Sequence, residues 1–417
     1  VRLRFDEEID RRGTNSLKWE FAQQEEDPLR WEQTDRFFGE GRILPMWVAD
    51  MDFCCPEPVV KALVARAQKG IYGYTFPTDS FYQSVVGWMA RRHRWEIAPQ
   101  WICITPGVVP ALNMLVRSFI SPGDRVLIQP PVYYPFYSAI ENNGGEVVTN
   151  PLIYEGDRYR TNYADLAEKA KDPQVKMAIL CSPHNPVGRV WTKDELLHFG
   201  DICIKNNVLV VSDEIHGDLV YKGHRFTPFA KISHDFAQHS ITCTAPSKTF
   251  NLASLLTSCI VIPNDDLRSR FMKILLSNGL ILASSFGVVA PQAAYDHGEE
   301  WLEQVLIYLQ ANLEYLETYV AEHIPQIRVV KPEATYLVWL DCRRLGLDRS
   351  ALERLMREEA KVYLDEGYIF GQEGEGFERM NIACPRSVLA EGLDRIRRAI
   401  DRLPAVADHS QGQGVAP

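Results

Sequence analysis

Short, almost uninterrupted apolar runs punctuate the middle of the chain. "RVLIQP", "KMAILCSP", "VLVVSDEI", "SITCTAPS" and "TSCIVIP" fall in turn between residues 125 and 263, separated by polar or helix-spaced segments. Runs with so little alternation predict strands covered on both faces, which favours a mainly parallel sheet with crossover helices over an amphipathic sandwich. Upstream, "ITPGVVPALNMLVRSFI" begins as a strand, meets Pro106-Gly107, and then places Val109, Leu112, Val116 and Phe119 along one helical side. Helical spacing also marks "VVKALVARA" after Pro58 and "FYQSVVGWMARRH" beyond Asp79.

Near Pro291 the pattern changes. "GEEWLEQVLIYLQANLEYLETYVAEHI" reads as a long helix, "IRVVKPEATYLVWLD" as a hairpin, and "RSALERLMREE" and "VLAEGLDRIRRAIDRL" as further helices. Residues 1 to about 45 are polar and turn-rich and cannot make a core alone. The expected fold class is therefore α/β. A large, mostly parallel sheet domain spans 46–290, and a smaller α+β domain is assembled from 1–45 and 291–408. The terminal "HSQGQGVAP", 409–417, lacks an apolar period and is expected to fray.

Composition narrows the partners. The 417 residues carry 45 basic and 55 acidic side chains, a formal net charge of -10, which disfavours nonspecific attraction to nucleic acid or an anionic membrane. A small-molecule partner is expected instead. Nine cysteines form no CxxC pair and no Cys/His ladder, so neither a metal site nor a disulfide scaffold is expected, and reduced thiols in a cytoplasmic enzyme are. No signal-like segment and no apolar stretch of about 18 residues is present, so secretion and membrane spanning are not expected.

Open parallel sheets bind ligands beyond the carboxyl ends of their strands. Four polar segments fall at such ends: "TPGVV", "CSPHNPVG", "SDEIHGD" and "APSKTF". None matches GxGxxG or GxxxxGK[ST], which weakens dinucleotide and nucleoside triphosphate readings. Lys248 in "APSKTF" is either a solvated charge beside a strand or an amine in a dry cleft, able to form a Schiff base with an aldehyde cofactor. Asp213 is either a helix cap or internal salt-bridge partner, or a carboxylate against the pyridine nitrogen of pyridoxal phosphate. Asn185 can donate its amide to the cofactor's phenolic oxygen, and the helix opening at "TPGVV" can hold a phosphate on its free amides. Tyr133 can stack on the ring, Tyr134 can shape the substrate cavity, and His216, three residues beyond Asp213, can support the ring's hydrogen bonds. Packing roles for these rings remain open at this stage. Arg386 in "RMNIACPRS" can clamp an α-carboxylate or pair at the surface, with Arg379 and Asn381 as weaker candidates for supporting that turn.

Taken together, "LPMWVADMDF", "GYT", "TPGVVPA", "PVYYPF", "SPHNPVGRVW", "SDEIHGDL", "APSKTFNLAS", "LVWLD" and "NIACPRS" resemble fold-type I pyridoxal-phosphate enzymes, and within them the MalY/PatB group of cystathionine β-lyases. The resemblance runs over nearly the whole chain. It implies pyridoxal 5'-phosphate on Lys248, Asp213 at the ring nitrogen, Asn185 at the phenolic oxygen and Tyr133 on the ring face. It also implies Val108 and Val109 amides and the Ser247 hydroxyl at the phosphate, and Arg386 and the Ala49 backbone at the substrate carboxylate. Tyr74 would reach the phosphate of a neighbouring subunit, making a homodimer with shared active sites. Tyr134 is counted with Lys248 among the catalytic residues. The wider aminotransferase family commonly has serine and arginine where this chain has Ala245 and Leu256, and tyrosine where it has His216. Ala334 stands where the lyase group usually has glycine.

The implied reaction is β-elimination from a sulfur-bearing L-amino acid such as L-cystathionine, yielding a thiol, pyruvate and ammonia. An aminotransferase would use the same lysine and aspartate, and a regulatory protein that binds the cofactor without turnover is the third reading.

Overall fold

Seven strands make the central sheet: β1 (Ile102–Thr105), β2 (Arg125–Ile128), β3 (Glu146–Thr149), β4 (Val175–Cys181), β5 (Leu209–Asp213), β6 (Ser240–Thr244) and β7 (Ser258–Val261). The computed structural model describes residues 5–23 and 30–404, so the tail expected over 409–417 lies outside the described residues. The strand order is β1-β7-β6-β5-β4-β2-β3. Only β7 runs against its neighbours; the remaining pairings are parallel. Every apolar run singled out in the sequence is one of these strands.

Why the runs lack alternation is visible in the packing. Val126, Ile128, Ile179 and Val211 point to one face, where they meet Ala111, Leu112, Leu115 and Val116 of the helix Val108–Phe119. Leu127, Ala178, Leu180 and Val210, one residue out of step, point to the other face and meet Leu196, Phe199 and Phe229. Each fully buried Val, Leu or Ile is worth roughly 1.5–3 kcal/mol of transfer free energy, so both faces resist a slip of register.

A second, antiparallel sheet has the order β8-β9-β11-β10, from β8 (Arg328–Val330), β9 (Leu337–Asp341), β10 (Asp365–Glu366) and β11 (Phe377–Asn381). The β8–β9 hairpin is the one read from the sequence. Helices Glu299–His323 and Arg386–Ile400 pack with it; the latter buries Val388, Leu389, Leu393, Ile396 and Ile400 along one stripe. The N-terminal segment joins this layer, because Leu44–Pro45 pairs in parallel with Val362–Tyr363.

Two features depart from the sequence pattern. Pro291 lies inside the helix Ser285–His297 rather than at a boundary, and the chain restarts as a new helix after Gly298. The polar N-terminal segment, expected not to make a core alone, buries Lys18 against Asp52 (2.7 Å) and Asp50 (3.6 Å), with Arg11 (2.8 Å) and the Trp19 indole (2.8 Å) also on Asp52. Local composition cannot reveal such a cluster, since its partners are more than thirty residues apart in the chain.

Candidate active site

Register alone brings the polar strand ends together. Asp213 closes β5 and is paired with Cys181 at the end of β4 on one side and with Cys243 near the end of β6 on the other. The turn after β4 carries Asn185, and the short helix Pro246–Thr249 after β6 carries Ser247 and Lys248. β1 delivers the chain through Pro106-Gly107 into the helix Val108–Phe119 at the same end.

These ends enclose a cavity of about 240 Å³. Lys248, Asp213, Asn185, His216 and Ser247 line it, and Val108, Val109, Tyr133 and the backbone region of Ala49 complete it. Gly107 caps the helix with φ +145°, a backbone conformation that L side chains rarely adopt, and no side chain caps the helix. Its first amides are therefore left as donors at the positive end of a twelve-residue helix, a place suited to a phosphate.

The Lys248 Nζ donates to the Ala49 carbonyl at 2.7 Å, and the Tyr336 hydroxyl donates to the same oxygen at 2.9 Å. Burial lowers the lysine's pKa to about 8; Asp50 opposes the shift, and Arg379 adds to it. Asp213 is 4% exposed and accepts only the Ile215 amide at 3.2 Å, and burial raises its pKa to about 7. A carboxylate so starved of donors suits a partner that brings its own proton, such as a pyridine nitrogen. His216 has a buried Nδ1 with no hydrogen-bond partner, and burial, followed by the charges of Lys248 and Arg379, lowers its pKa to about 3. The imidazole is thus neutral, with bonding capacity that the protein itself leaves unused.

Asn185 accepts from Arg379 Nη1 at 3.0 Å through its amide oxygen, which fixes the flip that leaves its NH2 as the free donor. Its backbone N–H donates to Cys181 Sγ at 3.3 Å. Tyr133 is held edge-on by Phe136 at 5.9 Å, presenting a rigid ring to the cavity. An electron-accepting aldehyde ring with a phosphate tail fits this set: amides for the phosphate, an orphan imidazole and a free amide for ring oxygens, and a carboxylate for the nitrogen.

Three expected residues are not brought to the cavity. Arg386 does not line it: the guanidinium donates through Nε to Asn312 Oδ1 at 2.8 Å and lies over the Tyr315 ring at 4.7 Å, because it starts a helix that docks on Glu299–His323. Arg379, rated the weaker candidate, is the guanidinium beside the cavity wall. It bonds Asn185, the Trp47 carbonyl at 3.2 Å and the Asp365 carboxylate, while its buried Nε has no partner. Tyr134 does not line the cavity either; it stands behind Tyr133 (5.3 Å) and against Phe370 (5.9 Å), 45% exposed. Tyr74 is 97% exposed and does not line the cavity.

Tyr336 escaped the sequence reading altogether. It sits at the entry to the apolar strand β9, in "TYLVWL", where a buried tyrosine is indistinguishable from core until its hydroxyl partner is known. Arg379 carried a signal: a charge in the middle of the buried strand β11 requires either an ion pair or a ligand. Among the described residues, no group of three or more His, Cys, Asp or Glu could hold a metal ion, and no helix is long and apolar enough to cross a membrane. All nine cysteines are free thiols.

This combination of a doubly covered parallel sheet and a lysine–aspartate pair at its strand ends has a known home. The family model for class I and II aminotransferases matches residues 46–396, and the chain belongs to that family. It is 44% identical to the cystathionine β-lyase PatB of Bacillus subtilis (strain 168) over 95% of this chain and 100% of that protein. Protein MalY of Escherichia coli (strain K12) is 34% identical over 95% of this chain and 98% of its own length. Among solved structures, cystalysin of Treponema denticola, which contains a pyridoxal 5'-phosphate cofactor, superposes with a TM-score of 0.90 at 37% identity, covering 96% of this chain and 99% of that one. The fold class and family read from the sequence are those found.

Proposed function

We propose that the protein is a pyridoxal-phosphate-dependent carbon–sulfur β-lyase. It eliminates the thiol from L-cystathionine or a related sulfur amino acid, with pyruvate and ammonia as the other products. The observation that carries this is a single cavity holding a lysine amine of lowered basicity beside a buried aspartate, in a chain 44% identical to a protein named a cystathionine β-lyase. When bound, the cofactor supplies a ring that accepts the electrons left as Cα loses its proton.

The protein's own groups do the rest. Val108 and Val109 amides and the Ser247 hydroxyl would hold the phosphate; Asp213 would keep the ring nitrogen's proton; Asn185 and His216 would donate to the phenolic oxygen; Tyr133 would stack on the ring. Lys248 would be the amine that holds the cofactor's aldehyde, and its neutral form would be the base that takes the Cα proton. Arg379 and the Ala49 backbone, rather than Arg386, orient the substrate carboxylate.

The free lysine must be neutral to capture the aldehyde. An amine of ordinary basicity is almost wholly protonated at pH 8, whereas a pKa lowered to about 8 leaves half of Lys248 neutral there. In cofactor-free protein the capture rate is expected to climb about tenfold per pH unit below that value and to level off above it. Stopped-flow absorbance between pH 6 and 10 checks this; a rate still climbing steeply at pH 10 would mean an unshifted lysine.

A homodimer with shared sites is the assembly we propose. Ile71, Tyr72, Tyr74, Phe76 and Leu282 are exposed apolar side chains on two segments joined by the Thr75–Ala283 bridge, and Leu256, also exposed, lines the cavity. A cytoplasmic location accords with nine free thiols.

The test is incubation of cofactor-loaded protein with L-cystathionine, measuring pyruvate and free thiol together. Equal yields of both are expected. A keto acid formed in step with the pyridoxamine form of the cofactor, with no thiol, would identify an aminotransferase; neither product across a panel of sulfur amino acids would indicate a binding protein.

A further inference from the structure

A second cavity, of about 610 Å³, shares no lining residue with the first. It opens between the hairpin strand Arg158–Arg160, the start of the helix Lys193–Lys205 and the loop before Phe229–Lys231. Arg158, Lys193, His224, Arg225 and Lys231 line it, and Glu333 is the one acid on its walls among the described residues. That acid is already saturated: one oxygen pairs with Arg158 at 3.1 Å, the other with Arg189 Nε at 3.0 Å and the Val190 amide at 2.8 Å.

The remaining cations are left without counter-charge. Among the described residues, Lys193 and Arg225 make no ion pair or hydrogen bond, and Lys231 donates only to the His93 carbonyl at 2.8 Å. Burial, then Arg225, Arg94 and Lys193, push the Lys231 ammonium below the usual lysine range, as expected where like charges crowd. Such crowding is notable in a chain whose net charge is -10. Each mutual repulsion is relieved by an anion placed between the cations.

The Glu333 wall of the cleft is fixed, while Lys193, His224 and Arg225 stand exposed on the other side. Tyr221 donates its amide to the Glu333 carbonyl at 3.0 Å, and Glu333 donates its own to the Gly188 carbonyl at 2.8 Å. Gly188, at φ +71°, approaches Pro332 so closely that a Cβ would lie 2.5 Å from the ring. A wall fixed in this way costs little ordering on binding.

We propose that this cleft binds a small polyanion carrying two or more phosphate or sulfate groups, at a position separate from the active site. Pyrophosphate is the probe. Isothermal titration of the cofactor-loaded protein is the experiment, because the cofactor's phosphate then occupies the active-site amides. The expected result is one pyrophosphate per chain, an affinity that falls as sodium chloride is raised, and inorganic phosphate binding about tenfold more weakly or worse. In the K193Q/R225Q variant, affinity is expected to fall by about tenfold or more. Neither side chain has a partner in the fold, so the variant retains its structure, which circular dichroism checks. Unchanged affinity in the variant, phosphate binding as tightly as pyrophosphate, or no heat at low salt would each overturn the proposal. The readout is heat rather than turnover, so the outcome stands apart from the lyase reading.

Discussion

Replacing Lys248 with alanine is expected to lower β-elimination by at least about 10⁴-fold while leaving the fold intact. Two separate duties end with the side chain: fixing the cofactor aldehyde and moving the Cα proton. No second lysine lines the cavity to take over either one. Structural damage should be slight, because the amine's only hydrogen bond is to the Ala49 carbonyl, which Tyr336 still holds at 2.9 Å. The measurements are pyruvate release from L-cystathionine and borohydride reduction followed by peptide mapping. Wild-type protein should yield a pyridoxyl tag on Lys248 and the variant none, with near-ultraviolet circular dichroism of the cofactor-free proteins superimposable. Turnover within tenfold of wild type would remove the lysine from the mechanism.

Legibility of the sequence followed the range of the interaction. The central strands were readable because burial on both faces makes each one an apolar run in its own right, and β4, β5 and β6 needed no partner to be recognised. The placement of Asn185, Asp213 and Lys248 in one cavity was readable for the same reason: a strand end in a parallel sheet is a place as well as a sequence. Residues whose role depends on distant partners were not. Lys18 and Asp52, Tyr336 and Ala49, and Arg379 and Asn185 are joined across 34, 287 and 194 positions respectively. Tyr74 illustrates a further limit, since its exposed ring has a function only if another chain covers it. The two guanidiniums of "RMNIACPRS" show the cost of reading a turn without its register. Arg386, just past the strand, looked better placed than Arg379 within it, yet the strand brings the buried residue against Asn185, which lines the cavity, and the helix carries the other away.

That exchange gives the second large expected effect. Substituting Arg379 with lysine keeps a cation beside Asp365 but removes the planar fork, so KM for cystathionine should rise while the cofactor stays bound. Substituting it with alanine removes a desolvated charge pair, a loss of roughly 2–5 kcal/mol, equivalent to a fall of about 30-fold to about 5000-fold in kcat/KM. The alanine variant also strands the buried Asp365 carboxylate, which is why the lysine variant is the cleaner measure of recognition. Arg386→Ala should behave oppositely. It loses the bond to Asn312 and the stacking on Tyr315, destabilising the protein by about 1–3 kcal/mol, while kcat/KM for folded protein stays within about twofold, a change of less than 0.5 kcal/mol. Thermal melts and steady-state kinetics on the three variants separate the roles. Were Arg386→Ala to raise KM and Arg379→Lys to leave it unchanged, the carboxylate would have to bind at the start of the last helix, and the cavity would have to open in that direction when substrate enters.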